Sequence, residues 1–246
     1  MTTGVIRLEA NGPEDAGLKP MELDAADFQS PLPQQSVHVY FNDAEIGLSV
    51  GVWTTTDMQE AFGPYPGDEF MLVLEGRVEM MDGDDKGIPV ETGQSFVIRN
   101  AIPISWKQVG SLRKFYITLL DPKAPTPEIT SAEGGVIVLN EAALADRLMP
   151  EPESIGGGTQ NDAHIFTNDA GTMKVGMWET IAFDTQMQAF SIHEFCQILA
   201  GKVTITEKDG TTHDFGPGDV FFVSKGTVCK WTSQGPVRKY YVQVSA

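Results

Sequence analysis

The strongest constraint on the fold is an internal duplication at an offset of 125 residues. Residues 38–117 align with residues 163–242 without a gap. The matches fall on glycines, tryptophans and alternating apolar positions, where a shared backbone constrains a sequence most. The matched pairs are Gly51/Gly176, Trp53/Trp178, Glu69/Glu194, Phe70/Phe195, Leu74/Leu199, Gly76/Gly201, Gly93/Gly218, Trp106/Trp231, Arg113/Arg238 and Lys114/Lys239. One domain therefore occurs twice, and any candidate site has to be judged in both copies.

The composition is that of a globular protein and disfavours several kinds of partner. Hydrophobic residues make up 41% of the chain and charged residues 21%, both ordinary values. The formal net charge of −17 repels nucleic-acid backbones and anionic membrane surfaces. No apolar run approaches the roughly 20 residues of a membrane span, and the start of the sequence has no secretory-signal pattern. We therefore expect a cytoplasmic protein without a nucleic-acid or membrane partner.

The local pattern predicts β-structure in both halves. Residues 70–74 and 195–199 are apolar runs of strand length, and residues 77–81 and 202–206 follow them as the next strands. Short strands separated by turns, without a long helical period, favour an antiparallel sandwich or barrel. Asp24 and Asn140 are suited to begin short helices. The sequence thus predicts an all-β protein with a few short helices.

The duplication and the turn-rich segments divide the chain into three parts. Residues 1–120 form an N-terminal domain with a polar arm, and residues 163–246 form a C-terminal barrel. Residues 121–162 are interpreted as a linker that also supplies the first strand, residues 136–139, and the short helix of the second half.

Both halves contain the order Glu-x6-Gly, a hairpin, and then Gly-[Asp/Gln]-x-Phe. The first part spans residues 69–76 and 194–201, and the second lies around Gly93 and Gly218. This order resembles the cupin superfamily. The Trp followed by Arg-Lys-[Phe/Tyr]-Tyr resembles the branch of ethanolamine-utilisation cupins and ureidoglycine aminohydrolase-like proteins. The resemblance implies two tandem jelly-roll β-barrels, a bicupin, over about two thirds of the chain.

The expected metal ligands of that superfamily are missing. The resemblance implies His-x-His three or four residues before the glutamate, and another histidine in the second motif. Counting back from Glu69, the His-x-His positions hold Gly63 and Tyr65, or Phe62 and Pro64. Counting back from Glu194, they hold Gln188 and Phe190, or Met187 and Ala189. The histidine position of the second motif falls near Ile104 in the first half and near Cys229 in the second. Because a transition-metal site needs about three suitable ligands, we expect no cofactor. The alternative is a divalent metal in the second half at Glu194, Cys196 and Cys229.

Strand alternation indicates which side chains share the inside of each barrel. Each barrel would enclose one carboxylate among large apolar groups, and such a carboxylate must be paired or its pKa rises. Arg113 and Arg238 are the candidate partners. The predicted ligand-binding residues are Glu69, Met71, Tyr65, Ile104 and Trp106 in the first half, and Glu194, Cys196, Cys229 and Trp231 in the second.

Three functions fit these features. The first is a bicupin without the usual metal that binds a small molecule or acts as an accessory protein. The second is a divalent-metal-dependent enzyme of small-molecule nitrogen or carbohydrate metabolism that resembles ureidoglycine aminohydrolase. The third is a structural or partner-binding protein with filled barrels. The sequence does not decide whether the chain is an enzyme, or whether outward apolar residues such as Leu72 cover a domain interface or form a homodimer.

Overall fold

The protein is described from a computed structural model that covers residues 4–83, 86–125, 127–153 and 155–245. Helical structure in these ranges is limited to one α-helix, Glu141–Ala145, and two 3₁₀-helices, Pro13–Asp15 and Ala25–Asp27. Asp24 caps the second 3₁₀-helix by accepting a hydrogen bond from Ala26 N, and Asn140 caps the α-helix in the same way from Ala143 N. Both predicted helix starts are confirmed.

The described residues also form twenty-four strands, which we number in chain order. The first twelve strands are β1 (Val5–Arg7), β2 (Lys19–Pro20), β3 (Gln35–Asp43), β4 (Leu48–Thr55), β5 (Met58–Gln59), β6 (Gly63–Pro64), β7 (Asp68–Glu75), β8 (Arg77–Met81), β9 (Gly87–Glu91), β10 (Ser95–Ile98), β11 (Pro103–Gln108) and β12 (Leu112–Leu119). The other twelve strands are β13 (Val136–Val138), β14 (Met149–Pro150), β15 (Gln160–Thr167), β16 (Met173–Thr180), β17 (Phe183–Asp184), β18 (Gln188–Ala189), β19 (His193–Ala200), β20 (Val203–Glu207), β21 (Thr212–Phe215), β22 (Val220–Val223), β23 (Val228–Ser233) and β24 (Val237–Val244).

The N-terminal unit comprises residues Glu9–Leu139. Its larger sheet has the strand order β13-β10-β7-β12-β4-β3-β2, and its smaller sheet has the order β5-β11-β8-β9 with β6 also paired to β11. All of these pairs are antiparallel. The two sheets enclose one hydrophobic core between them, which is the architecture of a jelly-roll barrel.

The C-terminal unit comprises Met1–Leu8 and Asn140–Ala246. Its larger sheet has the order β1-β22-β19-β24-β16-β15-β14, and its smaller sheet has the order β17-β23-β20-β21 with β18 also paired to β23. A second core fills the space between these sheets. The chain is therefore an all-β protein with two tandem jelly-roll barrels, as the sequence predicts.

Two short strands lie outside the segments that the sequence assigned to their barrels. The strand expected to open the second half, β13, pairs with β10 inside the N-terminal unit, with Val136 opposite Ile98. In the C-terminal unit the matching edge is occupied by β1, with Val5 opposite Val223. Each short strand thus covers the free edge of a sheet, where unpaired backbone groups would otherwise remain. The boundaries of the units consequently differ from the predicted division at residues 120 and 162.

A β-bulge at the same place in both barrels sets the direction of the side chains at the centre. On β7 the register shifts so that Lys114 of β12 lies opposite Val73 while Arg113 lies opposite Glu75. On β19 the shift leaves Lys239 opposite Ile198 and Arg238 opposite Ala200. The bulge skips Leu74 and Leu199, and its repetition shows that the duplication extends to an irregularity of the backbone.

Candidate functional site

The centre of the N-terminal barrel is an ion pair between Glu69 and Lys114. Lys114 Nζ lies 2.8 Å from Glu69 Oε1, and the two side chains are only 9% and 11% exposed. Tyr65 donates a hydrogen bond of 2.6 Å from its hydroxyl to the other oxygen, Glu69 Oε2. Lys114 Nζ also lies 2.9 Å from Met71 Sδ. Both oxygens of the buried carboxylate therefore have a partner, as a charge in an apolar core requires.

Two tryptophans flank the ammonium group of Lys114. Nζ lies 5.1 Å from the ring centroid of Trp53 and 4.8 Å from that of Trp106, within the range of cation–π attraction. The indole N–H of Trp53 donates to Gln35 Oε1 at 3.3 Å, and that of Trp106 donates to Gln108 Oε1 at 2.8 Å. The aromatic walls of this site are thus held by their own hydrogen bonds.

The C-terminal barrel repeats the pair with different neighbours. Lys239 Nζ lies 3.2 Å from Glu194 Oε1, with exposures of 8% and 4%. The same oxygen accepts a hydrogen bond of 3.1 Å from Gln243 Nε2, and Lys239 Nζ lies 3.5 Å from Cys196 Sγ. Phe190 stands at the position equivalent to Tyr65, so this carboxylate receives no phenolic hydrogen bond from there.

Aromatic rings surround the second ammonium group as well. Lys239 Nζ lies 5.0 Å from the centroid of Trp178 and 4.6 Å from that of Trp231. Trp178 donates its indole N–H to Gln160 Oε1 at 2.8 Å, which repeats the Trp53–Gln35 contact at the 125-residue offset. Phe190 stacks on Trp231 with a centroid separation of 5.6 Å and an interplanar angle of 12°. Phe190 thus packs on the wall instead of bonding to the carboxylate.

A cavity of about 690 Å³ opens into the C-terminal barrel. Its inner part reaches Glu194, Lys239, Trp231, Cys229 and Tyr241, all buried. Its outer part is lined mainly by exposed polar residues, which include Glu151, Glu153, His164, Lys174 and Gln188. This size lies within the range of small-molecule sites, as does the mixture of aromatic walls with a few polar groups.

Burial keeps two thiols and a phenol of the C-terminal barrel protonated. Burial raises the pKa of the Cys196 thiol well above its ordinary value, and burial also raises that of Cys229. Burial raises the pKa of Tyr241 too, and the carboxylates of Asp162, Glu194 and Glu151 add to the effect. Neither thiol is therefore an activated nucleophile, since reactive cysteines need a lowered pKa.

Lys239, in contrast, stays charged. Burial lowers the pKa of Lys239, but the adjacent Glu194 carboxylate opposes that effect, and the pKa stays above the ordinary lysine value. A protonated ammonium has no lone pair with which to attack a carbonyl carbon. The group can instead act as a fixed positive charge and hydrogen-bond donor.

The structure brings the sequence-predicted residues into two clusters. Tyr65, Met71, Ile104 and Trp106 lie in the core of the N-terminal barrel around Glu69. In the other barrel, Glu194, Cys229 and Trp231 line the cavity. Cys196 belongs to the same core but lies behind Lys239, outside the cavity lining.

The predicted arginine partners of the glutamates are wrong. Arg113 bonds to Asn11 on the outer side, and Arg238 pairs with Glu179 at 2.5 Å and Glu141 at 3.0 Å. Adjacent strand residues face opposite sides, so the next residue, Lys114 or Lys239, enters the barrel. The repeated Arg-Lys dipeptide was a usable signal. The lysine was not predicted as the partner because Lys114 lies opposite Val73, four residues from Glu69 along β7. The two side chains meet only because both extend along the strand direction.

The residues at the barrel centre do not fit a metal ion. Among the described residues, no group of three or more His, Cys, Asp and Glu side chains converges to hold one. A metal bound to Glu194 Oε1 at about 2.0–2.2 Å would lie no more than about 5.4 Å from the Lys239 ammonium, given the 3.2 Å contact of that oxygen with Nζ. The arrangement predicted at Glu194, Cys196 and Cys229 therefore lacks the chemistry of a metal centre.

Fold and site together define a cupin-type jelly-roll barrel, and comparison with known proteins supports this class. Residues 167–241, within the C-terminal unit, match the model of the EutQ-like cupin domain. Within the described residues, no helix is long and apolar enough to cross a membrane. A search of curated proteins found no match.

Solved structures with the same fold match nearly the whole chain. A protein of unknown function from Pseudomonas syringae pv. tomato, assigned to the DUF861 family, superposes with a TM-score of 0.76 at 23% identity and covers 99% of this chain and 100% of its own. A cupin 2 conserved barrel domain protein from Leptotrichia buccalis gives 0.58 at 10% identity, covering 96% and 100%. The putative glyoxylate-induced protein from Pseudomonas aeruginosa gives 0.55 at 14% identity, covering 91% and 86%. These likenesses establish the fold.

Proposed function

We propose that this protein is a bicupin that binds a small organic molecule in its C-terminal barrel without a metal. The observation that carries the proposal is the cavity of about 690 Å³ that reaches the Glu194–Lys239 pair. Trp178 and the stacked Phe190–Trp231 pair give it aromatic walls. Small-molecule sites are usually lined by apolar and aromatic side chains that bury the ligand's surface, with a few polar groups that fix its orientation.

The charges of the lining favour an uncharged or positively charged ligand. The carboxylates of Glu151, Glu153, Asp162 and Glu194 face only two ammonium groups, those of Lys174 and Lys239. An anionic ligand that approached Lys239 would have to displace Glu194, and breaking a buried ion pair is costly. An alcohol, amide or amine can enter and leave this pair intact.

The N-terminal barrel serves in this proposal as a scaffold. Tyr65 occupies the position equivalent to Phe190, and its hydroxyl donates a hydrogen bond to Glu69. Met71 takes the place of Cys196 and contacts Lys114. With both oxygens of Glu69 paired inside the protein, the centre offers less to a ligand than the centre of the C-terminal barrel.

A matched set of probes tests the proposal. Phenethylamine, 2-phenylethanol and phenylacetate share one aromatic body and differ in charge, and their binding is measured by calorimetry and by the shift of Tm. We expect binding of the amine or the alcohol, and loss of it in Trp178→Leu. Trp53→Leu is the matched control, since it makes the same change in the N-terminal barrel. Absence of binding in this set and in a broad metabolite screen would refute the proposal, as would binding that survives Trp178→Leu unchanged.

A further inference from the structure

The same cation-centred arrangement occurs in both barrels. The ammonium groups of Lys114 and Lys239 lie 2.8 and 3.2 Å from the carboxylates of Glu69 and Glu194. Each ammonium also contacts the sulfur of the residue two positions after the glutamate. Each lies between 4.6 and 5.1 Å from the centroids of two tryptophans. A carboxylate, a sulfur and two aromatic faces therefore surround one positive charge twice in the chain.

Such an environment is built for a cation. A carboxylate attracts positive charge, and the faces of indole rings carry the negative part of their quadrupole. Removing a charge from water is expensive unless several partners compensate. Glu69, Tyr65, Trp53 and Trp106 provide that compensation for Lys114 in the N-terminal barrel.

We propose that Lys114 and Lys239 are resident cations, which occupy in each barrel the place that a metal ion would need beside the glutamate. The barrels are then organised around a covalently attached charge that cannot be chelated, exchanged or reduced. The proposal also assigns a latent site: without the lysine, the centre of the C-terminal barrel binds a primary alkylammonium ion. This inference does not depend on which molecule enters the cavity.

The latent site can be tested with the fragment that is removed. Lys239→Ala deletes Cγ, Cδ, Cε and Nζ, and n-propylammonium has these same four heavy atoms. We expect the variant to lose thermal stability and n-propylammonium to restore it with saturation, by roughly 5 °C in Tm. The neutral n-propanol fills the same space and should restore much less. Lys239→Met keeps the volume occupied without the charge, and it should be destabilised without response to the amine.

Metal content provides the second readout. We expect the wild-type protein, purified without a histidine tag, to contain far less than one transition-metal ion per chain. EDTA and added Zn²⁺ or Mn²⁺ should leave its Tm unchanged. Stoichiometric metal with a fall of Tm in EDTA would overturn the inference, and so would indifference of Lys239→Ala to n-propylammonium.

A double-mutant cycle covers the case in which Lys239→Ala does not fold. Glu194→Gln and Lys239→Met each leave one buried charge without its partner, whereas the double variant leaves neither. We expect the double variant to melt at a higher temperature than at least one single variant. Additive losses of Tm would overturn the inference. Because these readouts use metal content and stability, they stay separate from failure of ligand binding, which would refute only the proposed function.

Discussion

The substitution Glu60→Gln should stabilise the N-terminal barrel at alkaline pH. Glu60 follows β5, and its backbone amide donates to Trp106 O at the edge of the central site. Burial raises the pKa of the Glu60 carboxyl from 4.5 to about 7; Lys114 opposes this effect, while Glu69 and Asp27 add to it. A neutral amide of the same shape removes the cost of ionising this group.

The size of the effect follows from the difference between the two pKa values. Raising the pKa from 4.5 to about 7 corresponds to a free energy of about 3.4 kcal/mol, at ~1.36 kcal/mol for each tenfold change in proton affinity. Since the folded-state pKa is the higher one, the folded state holds its proton more tightly. This contribution to stability is complete below pH 4.5 and is lost as the pH rises through 7. Between pH 5 and 8.5 wild type should therefore lose about 2.5 kcal/mol relative to Glu60→Gln.

Urea unfolding followed by tryptophan fluorescence measures this difference. The four tryptophans are divided equally between the barrels, so a background with Trp178→Phe and Trp231→Phe reports only on the N-terminal unit. Glu75→Gln is the control, because Glu75 is exposed. A stability difference between Glu60→Gln and wild type that is the same at pH 5 and pH 8.5 would refute the reasoning.

Three further predictions come from differences between the two barrels. Phe190→Tyr should place a hydroxyl on Glu194, as Tyr65 does on Glu69, and weaken binding of the aromatic probes about tenfold or more in calorimetry; unchanged affinity would contradict it. Ser233→Gln should stabilise the C-terminal unit by about 1 kcal/mol in urea unfolding, because the buried Trp231 Nε1 has no amide acceptor, while the equivalent Trp106 bonds to Gln108, whose amide also donates to Gly110 O as Ser233 donates to Gly235 O; a loss of stability would contradict this. Both cysteine thiols should react with a thiol reagent at least about a hundred times more slowly in the folded protein at pH 7.5 than in guanidinium, and a fast phase without denaturant would contradict this.

The sequence predicts the two barrels well because their signals are local and repeated. Strand alternation with turn glycines identifies β7 and β19, and it places Glu69 and Glu194 inside. It fails for the partners of these glutamates, since the choice between Arg113 and Lys114 depends on strand register around a bulge. It also fails for the strand at residues 136–138, because local sequence identifies a strand but not the sheet edge that it will cover.

The duplication separates what the barrels need for folding from what differs between them. Glutamate, lysine, two tryptophans and the glutamine that anchors one of them recur at a constant offset, and their contacts recur with them. The positions next to this set differ: Tyr65 against Phe190, Met71 against Cys196, and Ile104 against Cys229. In the N-terminal barrel Tyr65 donates its hydroxyl to the Glu69 carboxylate, and the larger side chains of Met71 and Ile104 fill the core. In the C-terminal barrel Phe190 makes no such hydrogen bond and Cys229 is smaller than isoleucine, and the polar groups of Glu194 and Lys239 face a cavity. If the shared set supports the fold in both halves, the ligand recognition that we propose depends on these three substitutions and on the cavity rim. Exchanging them between the barrels should then transfer the proposed binding site.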